Sequence, residues 1–303
     1  MFFAPPKLVE ASIFATLPDK YRDTDSNNEW IRGQPGAPAQ PVLEGPVFDQ
    51  NGYLYCVDIP GGRIFRVDQT GHFDLAVQYD GWPNGLKIMP DGRFLIADYK
   101  NGLMSYDPGT GQVQSWLTRY GLEPFKGVND LFVASNGDVY FTDQGMTGLH
   151  DPTGRVFRMK QDGRVECLLA NIPSPNGIVM NVDESCIFVA ATRDNSIWRI
   201  ALKIDGSVSK VGKFIQLSGG GGPDGLAIDE EDRLIIAHVG LGSVWVFDRK
   251  GEPVLRVSSP SGTHTTNIAF GGPQRKNLFI TEATSSTILT TQLDIPGKTR
   301  ISI

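Results

Sequence analysis

LEGPVFDQNGYLYCVD, residues 43 to 58, opens with a carboxylate, Glu44, beside Gly45 and Pro46. It runs at once into apolar residues, turns at Gly52 and continues as a second apolar run, Tyr53 to Val57. Two short apolar runs around a polar, Gly-containing turn read as a β-hairpin. The same arrangement returns five times: NGLKIMPDGRFLIAD from 84, NDLFVASNGDVYFTD from 129, NGIVMNVDESCIFVA from 176, DGLAIDEEDRLIIAH from 224 and NIAFGGPQRKNLFIT from 267. The starts are 40, 45, 47, 48 and 43 residues apart. Most copies continue into a third strand, such as GRIFRVD or GRVFRM, and some into a fourth, such as FDLAVQY or VECLLA. No long segment carries helical apolar periodicity. Six such units predict an all-β fold, a six-bladed β-propeller. A β-sandwich would not need six matching units, and a parallel β-helix repeats over far shorter lengths.

A propeller must also be closed. Blade six runs out near Leu293 with three strands counted, and the run LVEASIFATL, residues 8 to 17, has strand character but no blade of its own. It is expected to supply the outer strand of blade six. The whole chain, residues 1 to 303, then reads as one propeller domain. Residues 18 to 43 fit no blade. Their Pro/Gly-rich end suits an irregular loop across the channel mouth before Glu44, where Trp30 and Arg32 could cover a substrate. A loop packed for structure alone is the other reading.

Bulk properties narrow the function. Hydrophobic residues are 40% and charged residues 20%, enough apolar material for a substantial core. A net charge of −6 argues against nucleic acid, which needs a basic face. No apolar run approaches the roughly 20 residues of a membrane span, and MFFAPPKLVE lacks a basic region followed by an apolar one. The expectation is no membrane and no secretory signal. Three cysteines, Cys56, Cys167 and Cys186, form no CxxC pair; they read as reduced structural thiols, in keeping with a cytoplasmic location. Nothing in the sequence sets the oligomeric state.

In a propeller the inner strands line a central channel, so six strands that begin alike place their first residues around one end of it. Those residues are Glu44, Asn84, Asn129, Asn176, Asp224 and Asn267. All carry oxygen donors, with no cysteine or histidine among them. Such a ring suits a hard divalent cation, Ca2+ first, with Mg2+, Mn2+ or Zn2+ as alternatives. Polar–Gly pairs at strand starts are also ordinary turn chemistry. Two carboxylates in one narrow channel favour the ligand reading, because like charges repel unless a cation joins them.

LEGPVFDQNGYLYCVD, VNDLFVASNGDVYFTD, SPNGIVMNVDES and GPDGLAIDEEDRL together resemble the family of senescence marker protein, gluconolactonase and luciferin-regenerating enzyme. The resemblance spans about residues 40 to 295. HVGLGSVWVFDRKG and the long polar insert before Glu44 are most similar to its drug-responsive-protein lactonase branch. The resemblance implies one divalent metal at the top of the channel, held by Glu44, Asn129, Asn176 and Asp224. It also implies metal-dependent hydrolysis, with a small-molecule lactone as the leading substrate. A phosphotriester hydrolase on the same site and a non-catalytic binding scaffold are the competing classes. Sugar lactonases of the family often place an Arg in blade two, and residues 88 to 105 offer no counterpart, since Arg93 sits in a turn. Asn84, Trp82, Tyr99 and Phe125 suggest a less polar pocket.

Asp224 is the expected base or nucleophile, with Asn129 and Asn84 holding substrate by hydrogen bonds and Asp130 supporting from behind. His264, just before blade six at the metal end, could also reach substrate. His238 reads as a core hydrogen-bonder, and Asp58, Asp98 and Asp143 as caps of the turns that follow them. SGGGGPDG, residues 218 to 225, lacks the GK[ST] ending of a phosphate loop and reads as room for close approach at Asp224.

Overall fold

The structure is a computed structural model that describes residues 4–25, 27–34 and 40–298. The two chain ends of the expected domain, and Ser26 and residues 35–39 of the expected loop, lie outside the described residues.

Alternation of apolar and polar residues along each repeat forms antiparallel strands, and the turns between them are tight. The inner strands of the six blades are Leu43–Phe48, Pro83–Ile88, Val128–Val133, Pro175–Met180, Gly222–Ile228 and Thr265–Gly271. Each leads a sheet whose next two strands pair antiparallel in sequence order outward. Neighbouring inner strands pack side by side, and that of blade six meets that of blade one, closing the ring. Six apolar clusters fill the wedges between blades; one joins Leu54, Cys56 and Phe65 of blade one to Phe279 and Ile288 of blade six. The propeller expected from the repeats is the observed architecture.

The N-terminal run does more than the single strand expected of it. Ser12–Thr16 pairs antiparallel with Thr287–Gln292 as the outer strand of blade six. Lys7–Glu10, before it, pairs in parallel with Pro253–Ser258 as a fifth strand of blade five. The chain thus crosses from one blade to the next at Ala11, which is buried between them. A pattern of apolar alternation reports a strand but not which edge it joins.

All six inner strands lose regular register at the same level. The irregularity falls between Glu44 and Val47, Pro83 and Gly85, Val128 and Leu131, Pro175 and Ile178, Pro223 and Leu226, and Thr265 and Asn267. Such bulges bend a strand and re-aim a side chain. Carbonyls freed there are taken by threonines of the adjoining blade: Thr142 Oγ1 donates to Asn176 O at 2.7 Å, Thr192 Oγ1 to Pro223 O at 2.7 Å and Thr266 Oγ1 to Leu43 O at 2.7 Å.

The two N-terminal strands should differ in weight. Lys7–Glu10 is largely exposed, whereas Ala15 and Leu17 are buried beside Phe14, whose ring meets Phe279 edge-on at 5.1 Å. Removing residues 1–10 is expected to shift the urea midpoint slightly, while removing residues 1–16 should abolish the cooperative transition or cost several kcal/mol, about 3 or more. Equal losses for the two truncations would show that closure does not depend on the blade-six strand.

Candidate active site at the channel mouth

The bulges deliver Glu44, Asn84, Asn129, Asn176, Asp224 and Asn267 to one level of the ring, all buried. The glycines after four of them permit this. A Cβ on Gly45, which sits at φ +53°, would lie 2.4 Å from Asn84 O, and one on Gly177 would lie 2.3 Å from Asp224 O. Only glycine fits where inner strands approach so closely. The polar–Gly pairs are therefore a requirement of ring closure as well as a way to present side chains.

Three carboxylates are buried here. Glu44 Oε2 accepts from Gly45 N at 2.6 Å and from Asn267 Nδ2 at 2.8 Å. Asp130 Oδ1 accepts from Leu131 N at 2.8 Å and lies 3.8 Å from Lys87 Nζ. Burial raises Glu44 well above the ordinary carboxylate range, with the charges of Asp224 and Asp130 adding to it and the bonds from Gly45 and Asn267 opposing it. Burial pushes Asp224 up to about 8, the Asp130 charge adds to it, and Arg193 and a side-chain hydrogen bond from Asn176 oppose it. Asp130 is raised by burial too, against the pull of Lys87.

The amides differ in what they leave free. Asn267 spends both ends, its Nδ2 on Glu44 and its Oδ1 on Ile268 N at 2.8 Å. Asn129 gives its Nδ2 to Gln144 Oε1 at 2.9 Å, and its Oδ1 is buried with no hydrogen-bond partner. A buried oxygen without a donor is costly. Beside carboxylates that repel one another, such an oxygen is chemically suited to a positive charge. Among the described residues no three His, Cys, Asp or Glu side chains gather closely enough to hold a metal ion, so a cation here would need the amide oxygens as well as Glu44 and Asp224. That donor set, oxygen only, fits a hard divalent ion.

The other expected residues fall in different places. The described part of the segment before blade one is held to blades one and six: Asn28 Nδ2 donates to Pro60 O at 2.7 Å, Arg63 reaches Tyr21 O at 2.9 Å, and Gln40 Nε2 donates to Ala283 O at 2.9 Å. Asn28 caps a one-turn helix, Glu29–Gly33, that carries Trp30, half-buried, and Arg32, exposed. His264 is exposed, with Nδ1 2.7 Å from Thr284 Oγ1. Trp82 and Tyr99 stand 6.5 Å apart, centroid to centroid, whereas Phe125 packs inward on Phe141 and Phe157 and belongs to the core between blades two and three. Arg93 pairs with Asp91 in its turn at the far end of blade two. His238 is buried, its Nε2 3.0 Å from Gly219 O, and burial holds it below its ordinary range. Asp58 and Asp143 prove to be more than caps: they accept from Val42 N and Gly127 N, at 2.9 and 2.8 Å, and pair with Arg63 and Arg155. Asp98 does cap its turn, through Lys100 N and Asn101 N. Two surface clefts, of about 220 and 330 Å3, lie at the opposite end, lined by hairpin residues such as Pro273 and Gln292, and Asn136 and Ile204.

Residues 42–284 match the model of the SMP-30/Gluconolactonase/LRE-like region. The chain belongs to that family. It is 32% identical over 244 residues to the lactonase drp35 of Staphylococcus haemolyticus strain JCSC1435, covering 77% of this chain and 74% of the relative. Among solved structures, a calcium-binding regucalcin from Agrobacterium tumefaciens strain C58 superposes with a TM-score of 0.76 at 24% identity, covering 98% of both chains. A gluconolactonase from Xanthomonas campestris superposes with a TM-score of 0.74 at 20% identity, again covering 98% of both. These last two likenesses concern the fold.

Sequence reasoning passed over Gln144, Lys87 and Arg193. Each owes its place to a neighbouring blade, and none stands at the repeated ring position.

The raised carboxylates give the metal-free protein a distinctive pH response. A carboxylate raised in the folded state gives stability that is fully present below its unfolded value and lost as pH rises through the folded one. With Asp224 near 8 in the folded state and near the ordinary carboxylate value of about 4 when unfolded, protein in chelator should lose thermal stability progressively from about pH 4 to about pH 8 and level off above that. Asp224→Asn should flatten that slope. A wild-type midpoint that is constant or rises over the window would contradict the buried, mutually repelling arrangement.

Proposed function

We propose that the protein is a divalent-metal-dependent lactonase, with the unpartnered Asn129 oxygen beside Glu44 and Asp224 as the observation that carries the reading. Family membership and the lactonase relative support the reaction class; the calcium-binding neighbour supports the ion. Glu44, Asn129, Asn176 and Asp224 would hold one cation, calcium by preference for an all-oxygen set. Bound there, it would supply a fixed positive charge that polarises an ester carbonyl and makes nearby water more acidic.

The chain's own groups do the rest. Asp224 either takes the proton of the attacking water or attacks the carbonyl carbon itself, forming an acyl anhydride that water must then hydrolyse to regenerate Asp224 and release the product carboxylate. The ring C–O bond then breaks, and the leaving oxygen accepts a proton to become the hydroxyl of a hydroxy acid, still tethered to the new carboxylate. Asn176, beside Asp224, favours its charged form. A basic carboxylate needs a pKa near working pH, and burial raises Asp224 while a neighbouring cation would lower it. Asn129 and Asn84 position the carbonyl. Trp30, Arg32 and His264 contact the substrate from the rim, with Trp82 and Tyr99 supplying apolar surface.

The test is turnover of a panel of γ- and δ-lactones, an aryl ester and a phosphotriester, with chelator and with restored calcium. Lactone turnover lost in chelator and regained with calcium is expected; phosphotriester turnover alone would move the substrate class, and no turnover at all would favour a binding scaffold. Asp224→Asn keeps one oxygen donor but removes the base, so at saturating calcium its kcat should fall by roughly 10²–10⁴-fold. Recovery to the wild-type value at saturation would leave Asp224 a ligand only.

The rim residues yield a separate expectation. Trp30→Ala and Arg32→Ala should raise KM severalfold, about 3–10-fold, with kcat and thermal midpoint close to wild type. Unchanged KM in both would return the segment to a purely structural role.

A further inference from the structure

An asparagine can turn either end of its amide to a site, and oxygen and nitrogen differ little in shape. Only Oδ1 is of use to a cation. Whatever accepts from Nδ2 therefore decides whether Asn129 can serve. That acceptor is Gln144 Oε1, at 2.9 Å. Gln144 stands one residue beyond Asp143, where the second strand of blade three ends. It is an amide too, and turning it over would reverse the polarity of the bond. Its Nε2 is directed at Ser174 Oγ, 2.9 Å away on blade four.

Ser174 is held in an unusual state. It is buried and lies at φ +59°, a left-handed conformation that costs a non-glycine residue energy. Two backbone bonds hold it there: its N donates to Thr147 Oγ1 at 3.1 Å, and its O accepts from Thr192 N at 3.0 Å. Thr147 Oγ1 in turn donates to Gln144 O at 2.6 Å. The one hydroxyl proton of Thr147 is thereby spent on residue 144, leaving its oxygen to accept from residue 174. Gln144 and Ser174 are thus joined twice, once through side chains and once through Thr147. Two residues after Ser174 comes Asn176, so the same brace ties two ring amides from different blades.

We propose that Gln144 is a positioning residue: it accepts from Asn129 Nδ2 so that Asn129 Oδ1 faces the channel, and Ser174 anchors Gln144 in that orientation. The inference rests on the reading of the ring as a cation site. It goes beyond that reading by assigning the orientation of one ligand to a residue outside the ring. Loss of an outer partner of this kind typically weakens a metal site by roughly 10–100-fold.

The experiment is calorimetric titration of calcium into chelator-treated, dialysed full-length protein. Wild type should take up one ion. Gln144→Met keeps size and charge but cannot accept the bond, and its calcium affinity should fall by roughly 10–100-fold. Gln144→Glu keeps the acceptor and should bind as tightly as wild type or more so. In an Asn129→Ala background, Gln144→Met should add little further loss, because Gln144 acts through Asn129. Wild-type affinity in Gln144→Met, or a loss in Gln144→Glu as large as in Gln144→Met, overturns the proposal. So does a full additional loss in the double variant. Should Gln144→Met fail to fold, Gln144→Ala takes its place in the cycle, and the Gln144→Glu comparison stands alone. Wild-type protein that binds no divalent ion would instead overturn the reading of the ring, a result distinguishable because it precedes any substitution.

Discussion

Six strands must converge on one narrow mouth, and that crowding governs the rest of the molecule. A strand with a Cβ at every position cannot come within 2.4 Å of its neighbour's carbonyl, as a Cβ on Gly45 would come to Asn84 O. Each inner strand therefore bulges at the ring and spends glycine where it can. The bulge turns a polar side chain into the channel and leaves carbonyls unpaired. Threonines from the next blade accept the task of pairing them, as Thr142 does for Asn176 O. The blades are thus stitched together at the level where the chemistry would take place.

Around the ring a second set of contacts holds the strand ends. Asp58 and Asp143 each join the approach to an inner strand to the end of the second strand and to an arginine on the third. Glu282 does the same work in blade six without an arginine, accepting from His264 N, Thr284 N and Ser285 N. Blade five uses His238 against Gly219 O. Buried pairs of this kind add little net stability but fix geometry, because any misplacement strands a charge away from water. Rigid strand ends matter here, since ring residues a fraction of an ångström out of place could not share one ion.

The architecture was legible because it repeats. Six hairpins of one pattern, starting 40 to 48 residues apart, leave few folds to choose from, and the repeated first residue locates the channel mouth without coordinates. What stayed hidden depends on which blades touch. Lys7–Glu10 looks like the start of the strand that follows it; only the turn at Ala11 sends it to blade five. Gln144 and Ser174 occupy loops of different blades, and no spacing in the chain announces that they meet. Asn267, at the same repeat position as Asn129, spends its oxygen on its own bulge at Ile268 N. Equivalence in sequence put both asparagines in the ring, but hydrogen bonding decides which oxygen stays free.

That accounting also separates the two ring carboxylates of the proposed cation site. Glu44 is tethered through Oε2 by two donors, a backbone N–H at 2.6 Å and an amide at 2.8 Å, both of which favour its charged form. The rise of Asp224 is opposed by the charge of Arg193 and, to a lesser degree, by Asn176. A carboxylate fixed by two donors is held stationary, which is what a charge-supplying ligand needs. One with fewer restraints, raised into the range where protons exchange near neutrality, is suited to accept a proton and release it. The same fold position therefore carries two different carboxylates, and the difference lies in the neighbours: Asn267, on the inner strand of blade six, serves Glu44 across the closure of the ring, while Asn176, on the inner strand of blade four, serves Asp224.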